Sequence, residues 1–487
     1  MTTTFPVDGI ILDRSNVANL HRQLYTQLRS LIERKILPSG SALPATRVMA
    51  KDLSIGRNTV IAACDQLALE GYLSLRPRTP PLVMALPTSS AITEKAPIDS
   101  DTSISWRGKV MLSQPNHHGK PGHVAFHPGL PDPDNFPFNT WSKLLSRRAK
   151  LARHDLFGTY HVKGYPPLCE AIARYLTTSR GVNCKPEQII ITNGAQSAFD
   201  LLARLLIDPG DTVWMEEPGY YGAGAAFLSA GAKLSPLHVN DSGWNLEPPP
   251  STPRLIFVTP SCHHPLGITM PMEQRLNLIH MAEKWNAWII EDDYDSEYRF
   301  QGHPIPALQG ISATNRVVYV GTFAKILFPA MRLGFLVVPE VLREGISAAL
   351  SVTGQFAPLL TQAALADFMN EGHFTRHLRR MKRLYATRRQ FFIEACDEYL
   401  SSWLRLRRTD AGIQLVGLFH KDCDDKMVAR AALEQGVNVS PLSIQYRHDC
   451  VERGLVMGFA AADEKTTKKA MTKLRHLFGS TLISEDD

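Results

Sequence analysis

Three apolar runs end in groups whose chemistry fits together. AWIIEDDYD (287–295) carries Asp292, Asp293 and Tyr294 where a strand would finish, the edge at which open α/β sheets bind ligands. RVVYVGT (316–322) ends in Thr322, and the following GTFAKILFPAMRLG adds Lys325 and Arg332. QIIITNGAQSAFDLLARLL (188–206) reads as a strand that breaks at NG and becomes a helix, so the amides of Gly194, Ala195 and Gln196 form a helix N-terminus suited to an anion. A lysine can hold an aldehyde cofactor and a carboxylate its pyridinium nitrogen, while hydroxyl, guanidinium and backbone amides hold its phosphate. The cofactor these parts fit is pyridoxal 5'-phosphate. Lys325 as a mere surface lysine is disfavoured by the apolar strand before it and the Phe-Pro after it. The acid pair has no third ligand at metal-site spacing, and Cys262, His263 and His264, being consecutive, do not converge on one ion unaided, so no metal is expected.

The elements that must position these groups follow from the apolar pattern. QIIITNG, TVWMEEP, RLIFVTP, AWIIEDDYD, RVVYVGT and RLGFLVV are apolar throughout and alternate with helical stretches, which indicates a mostly parallel sheet covered on both faces. A long basic helix from about residue 372, HFTRHLRRMKRLYATRRQFFIEACDEYL, opens a smaller C-terminal α/β portion.

A second constellation lies near the N-terminus. Leu20, Leu24, Leu28, Leu31 and Ile32 mark one stripe of a helix that Pro38-Ser39-Gly40 stops, and residues 44–53 make a second, short helix. A third helix opens at Arg57 or Asn58, buries Val60, Ala63, Cys64 and Leu67, and ends at Gly71. Residues 72–85 read as two strands joined by a basic turn. Three short helices and a basic ribbon form a winged helix-turn-helix, whose helix after the turn enters the major groove of double-stranded DNA. Arg57, Asn58 and Thr59 begin that helix and are placed to meet base edges and phosphates, Arg47 the backbone, and Arg76 and Arg78 are the wing's candidates. Each alone is better read as a solvated surface group or a cap; together they outweigh that reading.

The chain has 487 residues, 44% of them apolar and 21% charged, enough for two or three cores and incompatible with disorder. Of the net charge of +6, residues 1–86 hold +4, from ten Lys or Arg against six Asp or Glu, which is where nucleic acid could use it. Seven scattered cysteines without CxxC spacing speak for reduced thiols. No apolar run reaches the roughly 18 residues of a membrane span, and the first residues lack a signal-peptide pattern, so a cytoplasmic protein is expected. The predicted organisation is a DNA-binding domain over 8–86, a Pro-, Ser- and His-rich linker over 87–123, and a cofactor-binding domain over 124–480.

LPATRVMAKDLSIGRNTVIAACDQLALEGYL (43–73) resembles the GntR regulator family, with PRTPP at 77–81 where that family has a Gly-rich wing tip. EDDYDSEYRF and GTFAKILFPAMRLGFLV resemble fold-type I aminotransferases, and the combination is similar to MocR-type regulators, including the subgroup that responds to pyridoxal phosphate. The resemblance implies a winged helix-turn-helix fused to an α/β aminotransferase-like domain with a smaller C-terminal α/β subdomain. Carried over by position, it makes Lys325 the residue bonded to the cofactor, Asp292 the pyridinium partner, Tyr294 the neighbour of the phenolate and Tyr220 the stacking ring. Thr322 and Arg332 become phosphate ligands, and Tyr160 a residue that reaches the neighbouring subunit's phosphate in a homodimer. Two positions depart from the aminotransferases. His264 of SCHHPLG stands where they have asparagine, and Val456 of GLVMGFA stands where an arginine forks the substrate carboxylate, a contact of about 1.5–3 kcal/mol per charged hydrogen bond. Arg453, three residues earlier on a strand, faces the other way. The expectation is a regulator whose effector is pyridoxal phosphate itself or an amine or amino acid; the alternative is an active aminotransferase carrying a DNA-binding domain.

Overall fold

A computed structural model describes residues 9–15, 18–86, 104–114, 125–151, 153–158, 161–302 and 305–481. The chain divides into two compact units, Met1–Ser103 and Ile104–Asp487.

In the first unit, α1 (Leu20–Glu33) buries Leu24, Leu28 and Ile32. Leu20 and Leu31 stay half-exposed, so the buried stripe is narrower than the sequence spacing suggests. The second helix, α2 (Thr46–Asp52), is shorter than the expected 44–53. In α3 (Arg57–Leu69) the four residues picked out by helical spacing, Val60, Ala63, Cys64 and Leu67, are all buried. Gly71, at φ +80°, takes the left-handed turn that ends it, and Tyr72 N–H closes back on the Leu67 carbonyl. The chain then pairs β1 (Leu73–Ser74) with β2 (Leu82–Val83) antiparallel, Leu73 opposite Val83. Arg76 and Arg78 are exposed on the turn between them.

The second unit is built on an eight-stranded sheet in the order β3-β10-β9-β8-β7-β4-β5-β6. These strands are β3 (Ile189–Thr192), β4 (Thr212–Glu217), β5 (Lys233–Asn240), β6 (Gly243–Trp244), β7 (Leu255–Val258), β8 (Trp288–Asp293), β9 (Val317–Thr322) and β10 (Gly334–Val337). The central run from β9 to β5 is parallel; β4, β7, β8 and β9 are buried along nearly their whole length, whereas β5, nearer the edge, is largely half-buried or exposed. RLGFLVV is the exception: β10 runs antiparallel, wedged between β3 and β9, with Gly334 opposite both Thr192 and Thr322. The chain therefore leaves β9 and returns beside it, so residues 323–333 form one loop at the ligand-binding edge. Gly334 is needed where it stands, since a Cβ there would lie 2.9–3.0 Å from the Gly194 backbone. That close approach sets the β3-to-helix turn against the start of β10.

Helix His373–Leu400 leads into a four-stranded antiparallel sheet, β11-β12-β14-β13, made of β11 (Leu404–Arg407), β12 (Gln414–Phe419), β13 (Ser440–Pro441) and β14 (Gly454–Gly458). Its core of Met381, Tyr385, Phe392, Leu415, Leu455 and Phe478 is separate from that of the large sheet.

The expected linker is not free of structure throughout. Trp106–Leu112 is a helix whose first turn is capped by the Ser105 hydroxyl accepting from Gly108 N–H at 3.2 Å, and it packs against helix Tyr221–Ser229. The sequence hid it because none of its side chains is buried. Arg447 ties it down, donating from Nη1 to Gln114 Oε1 at 3.3 Å and from Nη2 to the Tyr221 carbonyl at 2.6 Å.

Because the first unit has its own core, a cavity there should unfold it alone. Leu28→Ala, at a fully buried position, is expected to cost the N-terminal unit about 2–5 kcal/mol in denaturant unfolding and to leave the transition of residues 104–487 in place.

Candidate cofactor cavity and nucleic-acid interface

At the carboxyl edge of the large sheet, facing β12 to β14, lies a cavity of about 640 Å³. Gly194, Ala195, Gln196, Tyr220, Asp292, Tyr294, Thr322, Lys325 and Arg332 all line it, although they come from four separate segments. Tyr160 lies outside the described residues.

Strand β8 delivers three consecutive acids, all buried, and each is treated differently. Glu291 accepts from the backbone N–H groups of Leu308 and Gln309 at 2.7 and 3.0 Å. Asp293 is paired with Arg180 at 2.7 Å and accepts from the Tyr319 hydroxyl at 2.6 Å. Asp292 faces the cavity, and its Oδ1 has no hydrogen-bond partner among the described residues. Burial, reinforced by Asp293 and Glu216, holds its carboxyl well above the usual range. A buried acceptor of this kind calls for a donor, and a pyridinium N–H is one.

Across the cavity Lys325 Nζ donates to the Gly129 carbonyl at 2.8 Å. Burial lowers its pKa from the ordinary lysine value, against the pull of Asp295 and Asp292, which favours the nucleophilic neutral amine. Its loop also carries Thr322, whose Oγ1 accepts from Ala324 N–H at 3.2 Å, and Arg332, exposed and in the left-handed region at φ +51°. The Arg332 backbone N–H donates to the Pro329 carbonyl at 3.2 Å, while its guanidinium makes no hydrogen bond or ion pair among the described residues. Beside them helix Ala195–Leu206 begins, with Gly194 at φ +85° as its N-cap and no acid in its first turn. Its leading amides lack intrahelical acceptors. Hydroxyl, guanidinium and amides thus meet at one end of the cavity, as an anion requires.

The walls are aromatic. Tyr220 lies edge-on to His264 at 5.4 Å and to Phe199 at 6.3 Å, and burial pushes its phenol up to about 12. The Tyr294 hydroxyl points to Cys262 Sγ at 3.8 Å, and its ring is edge-on to His264 at 5.8 Å. The three side chains of Cys-His-His diverge: Cys262 towards Tyr294, His263 towards Glu216 at 3.7 Å, and His264 towards the two tyrosines. Val456 on β14 lines the cavity, whereas Arg453 lies outside it, paired with Asp422 at 3.2 Å.

Sequence reasoning missed Asp295, His127, Gly129 and Gln414. Asp295, three residues past Asp292 in the same acidic run, is buried, accepts from Ile413 N–H at 3.1 Å and faces Lys325 electrostatically. Its place in EDDYDSEYRF was the available signal.

On the N-terminal unit, Arg47, Arg57, Asn58, Arg76 and Arg78 are exposed, and Thr59 is half-buried. Arg57 to Thr59 form the first turn of α3, which Gly56 caps and which holds no acid.

Burial pushes Asp295 up from the ordinary 3.8 to about 7, although Lys325 opposes the shift. Between about pH 4 and pH 7 the folded chain then binds a proton that the unfolded chain has released, so this group's stabilisation is complete below about pH 4 and is lost as pH rises through 7. In urea unfolding of cofactor-free protein, Asp295→Asn is expected to flatten the fall in stability between about pH 5 and 7. An unchanged slope would contradict the assignment.

Comparison with known proteins agrees with this two-part layout. Residues 20–83 match the family of bacterial regulatory proteins of the gntR type, and residues 130–474 match aminotransferase class I and II. The chain is 50% identical over 472 residues to the probable rhizopine catabolism regulatory protein MocR of Rhizobium meliloti, covering 96% of each chain. It is 29% identical over 466 residues to the pyridoxine biosynthesis transcriptional regulator PdxR of Corynebacterium glutamicum, covering 96% of this chain and 97% of that one. Among solved structures, the alpha-aminoadipate aminotransferase LysN of Thermus thermophilus is 25% identical with a TM-score of 0.67, over 78% of this chain and 95% of its own. The likeness to the aminotransferase stops at the second unit, whereas the likeness to the regulators runs through both, and the chain belongs to the MocR-type GntR transcription regulators.

Proposed function

We propose that this regulator holds pyridoxal 5'-phosphate in the cavity and that occupancy alters its affinity for a double-stranded operator. The observation that carries the reading is the buried, unpartnered Asp292 Oδ1 across the cavity from Lys325. Lys325 would bond the cofactor aldehyde, Asp292 its pyridinium nitrogen, and Thr322, Arg332 and the amides of Gly194, Ala195 and Gln196 its phosphate. Tyr220 would cover the ring and Tyr294 sit by the phenolate. Bound there, the cofactor supplies an electron-withdrawing ring to an attached amine. Asp292 would keep that nitrogen charged, Tyr220 and Tyr294 would wall the ring, and burial shifts Lys325 towards its uncharged form. Tyr160 would complete the site across a homodimer, in the cytoplasm. Val456 argues against turnover of amino acids, so the cavity senses rather than converts. The effector is pyridoxal phosphate itself or an amine or amino acid that reaches it. Arg57, Asn58 and Thr59 would read the major groove, with Arg47, Arg76 and Arg78 on phosphates and wing contacts.

Wild-type protein reconstituted with cofactor is expected to absorb in the visible after dialysis, and Lys325→Ala to stay colourless. The two should differ in operator affinity by roughly 5-fold to 150-fold, the usual range of allosteric coupling. A colourless wild type, or equal operator affinities, would sink the corresponding half of the proposal.

Gel-shift titration at fixed salt should show Arg57→Ala binding the operator more weakly with its visible absorbance intact. Equal affinity would remove α3 from the DNA interface.

A further inference from the structure

Lys325 is held at both ends from one helix, His373–Leu400, no residue of which lines the cavity. His377 on that helix is 5% exposed, and its Nε2 lies 3.0 Å from the carbonyl oxygen of Ile326, the residue after Lys325. A carbonyl only accepts, so Nε2 carries the proton and donates. Burial lowers the pKa of the ring to about 4, so near neutral pH it holds one proton, and Nδ1, without a hydrogen-bond partner among the described residues, is bare. Leu327 N–H closes the local turn on the Phe323 carbonyl at 2.9 Å, and the Tyr298 hydroxyl reaches the Ile326 carbonyl only at 3.5 Å. The imidazole therefore makes the shorter contact to the peptide that follows the lysine.

The amine end of the lysine depends on the same helix. Nζ donates to the Gly129 carbonyl at 2.8 Å, and Gly129, at φ +63°, has no room for a side chain, since a Cβ there would lie 2.3 Å from Nζ. Gly129 belongs to HPGLPDPDNF (127–136), in which Pro128, Pro131 and Pro133 stiffen the backbone. Asp132 anchors this segment: its carboxylate pairs with Arg388 at 2.7 Å, and its backbone N–H donates to the Tyr385 hydroxyl at 2.8 Å. Further along, Phe136 meets the His377 ring edge-on at 5.5 Å. His377, Tyr385 and Arg388 stand at i, i+8 and i+11, one stripe of the helix. That stripe fixes both the backbone from which Lys325 projects and the carbonyl at which it ends.

We propose that His377 is a positioning residue for Lys325, holding the lysine backbone through the Ile326 carbonyl so that Nζ meets the cofactor aldehyde from a fixed direction. The inference rests on the cofactor reading above and adds to it a residue outside the cavity. The neutral Nζ adds to the aldehyde carbon, and its two protons leave with the aldehyde oxygen as water, so the rate at which the visible band grows reports the placement of the lysine. His377→Gln keeps an amide N–H near the place of Nε2, whereas the shorter His377→Asn leaves the Ile326 carbonyl without that donor. On mixing cofactor-free full-length protein with pyridoxal phosphate, His377→Asn is expected to form the band roughly 3-fold to 10-fold more slowly than wild type, as the loss of one hydrogen bond implies, and His377→Gln to stay within about 2-fold of wild type. His377→Leu, apolar like Phe136 beside it, repeats the loss of the donor should asparagine not be accepted in that core. In a Lys325→Ala background, where no bond to the aldehyde forms, these substitutions are expected to leave cofactor affinity, read from the heat of binding, unchanged. Equal rates for wild type and the donor-free variants, equal slowing by glutamine, or an affinity loss of the same size without Lys325 overturn the inference and leave the cofactor reading standing. A wild type that forms no band overturns both.

Discussion

Three consecutive carboxylates at the end of β8 set the terms for the cofactor domain. Burying a charge without a partner is prohibitive, so each acid dictates what surrounds it. Glu291 requires the turn that offers the N–H groups of Leu308 and Gln309, and Asp293 requires the far end of helix Pro166–Arg180. Those two demands pin the sheet's ligand-binding edge to elements on both sides of it. Of the three, Asp292 is the one that lines the cavity, and its Oδ1 has no partner among the described residues. An unpartnered buried acceptor that faces a cavity is the kind of exception that marks function.

The antiparallel return of β10 is the second device. It gathers Thr322, Lys325 and Arg332 onto one loop whose ends are held in register, Gly334 opposite Thr322, so three contacts of different chemistry are fixed by a single pairing. Rigid support of this kind is what a preorganised site needs. Arg447 then joins the rim of the cavity to the segment before it: one guanidinium bonds both the Tyr221 carbonyl and Gln114, next to the helix Trp106–Leu112. Tyr221 lines the cavity, so the chain entering this domain lies one side chain away from the ligand space.

Much of this could be read from the residues. Val60, Ala63, Cys64 and Leu67 announced α3 through helical spacing, and the apolar runs announced the strands, because a helix face and a doubly covered strand leave unmistakable patterns. Asp292 was visible because it stands at the end of such a strand, Lys325 and Arg332 because they sit in the loop that follows one. What stayed hidden was non-local or surface-born. RLGFLVV looks like its parallel neighbours, since direction leaves no trace in composition. The helix at Trp106–Leu112 buries nothing and so shows no stripe. Asp295 stood in plain view, but its partners, Ile413 and Lys325, lie far along the chain, and no local pattern reports such contacts.

The separateness of the two cores also has a meaning in time. A ribosome adding roughly 5–20 residues per second completes the winged head, with its own interior, before any of the aminotransferase-like unit exists. The cavity closes only when Val456 and β14 have been made, about 350 residues beyond Ser103, or some 20–70 seconds later at that rate. During synthesis each molecule thus passes through an interval in which a complete winged helix-turn-helix is attached to a translating ribosome while the cavity of the second unit does not yet exist.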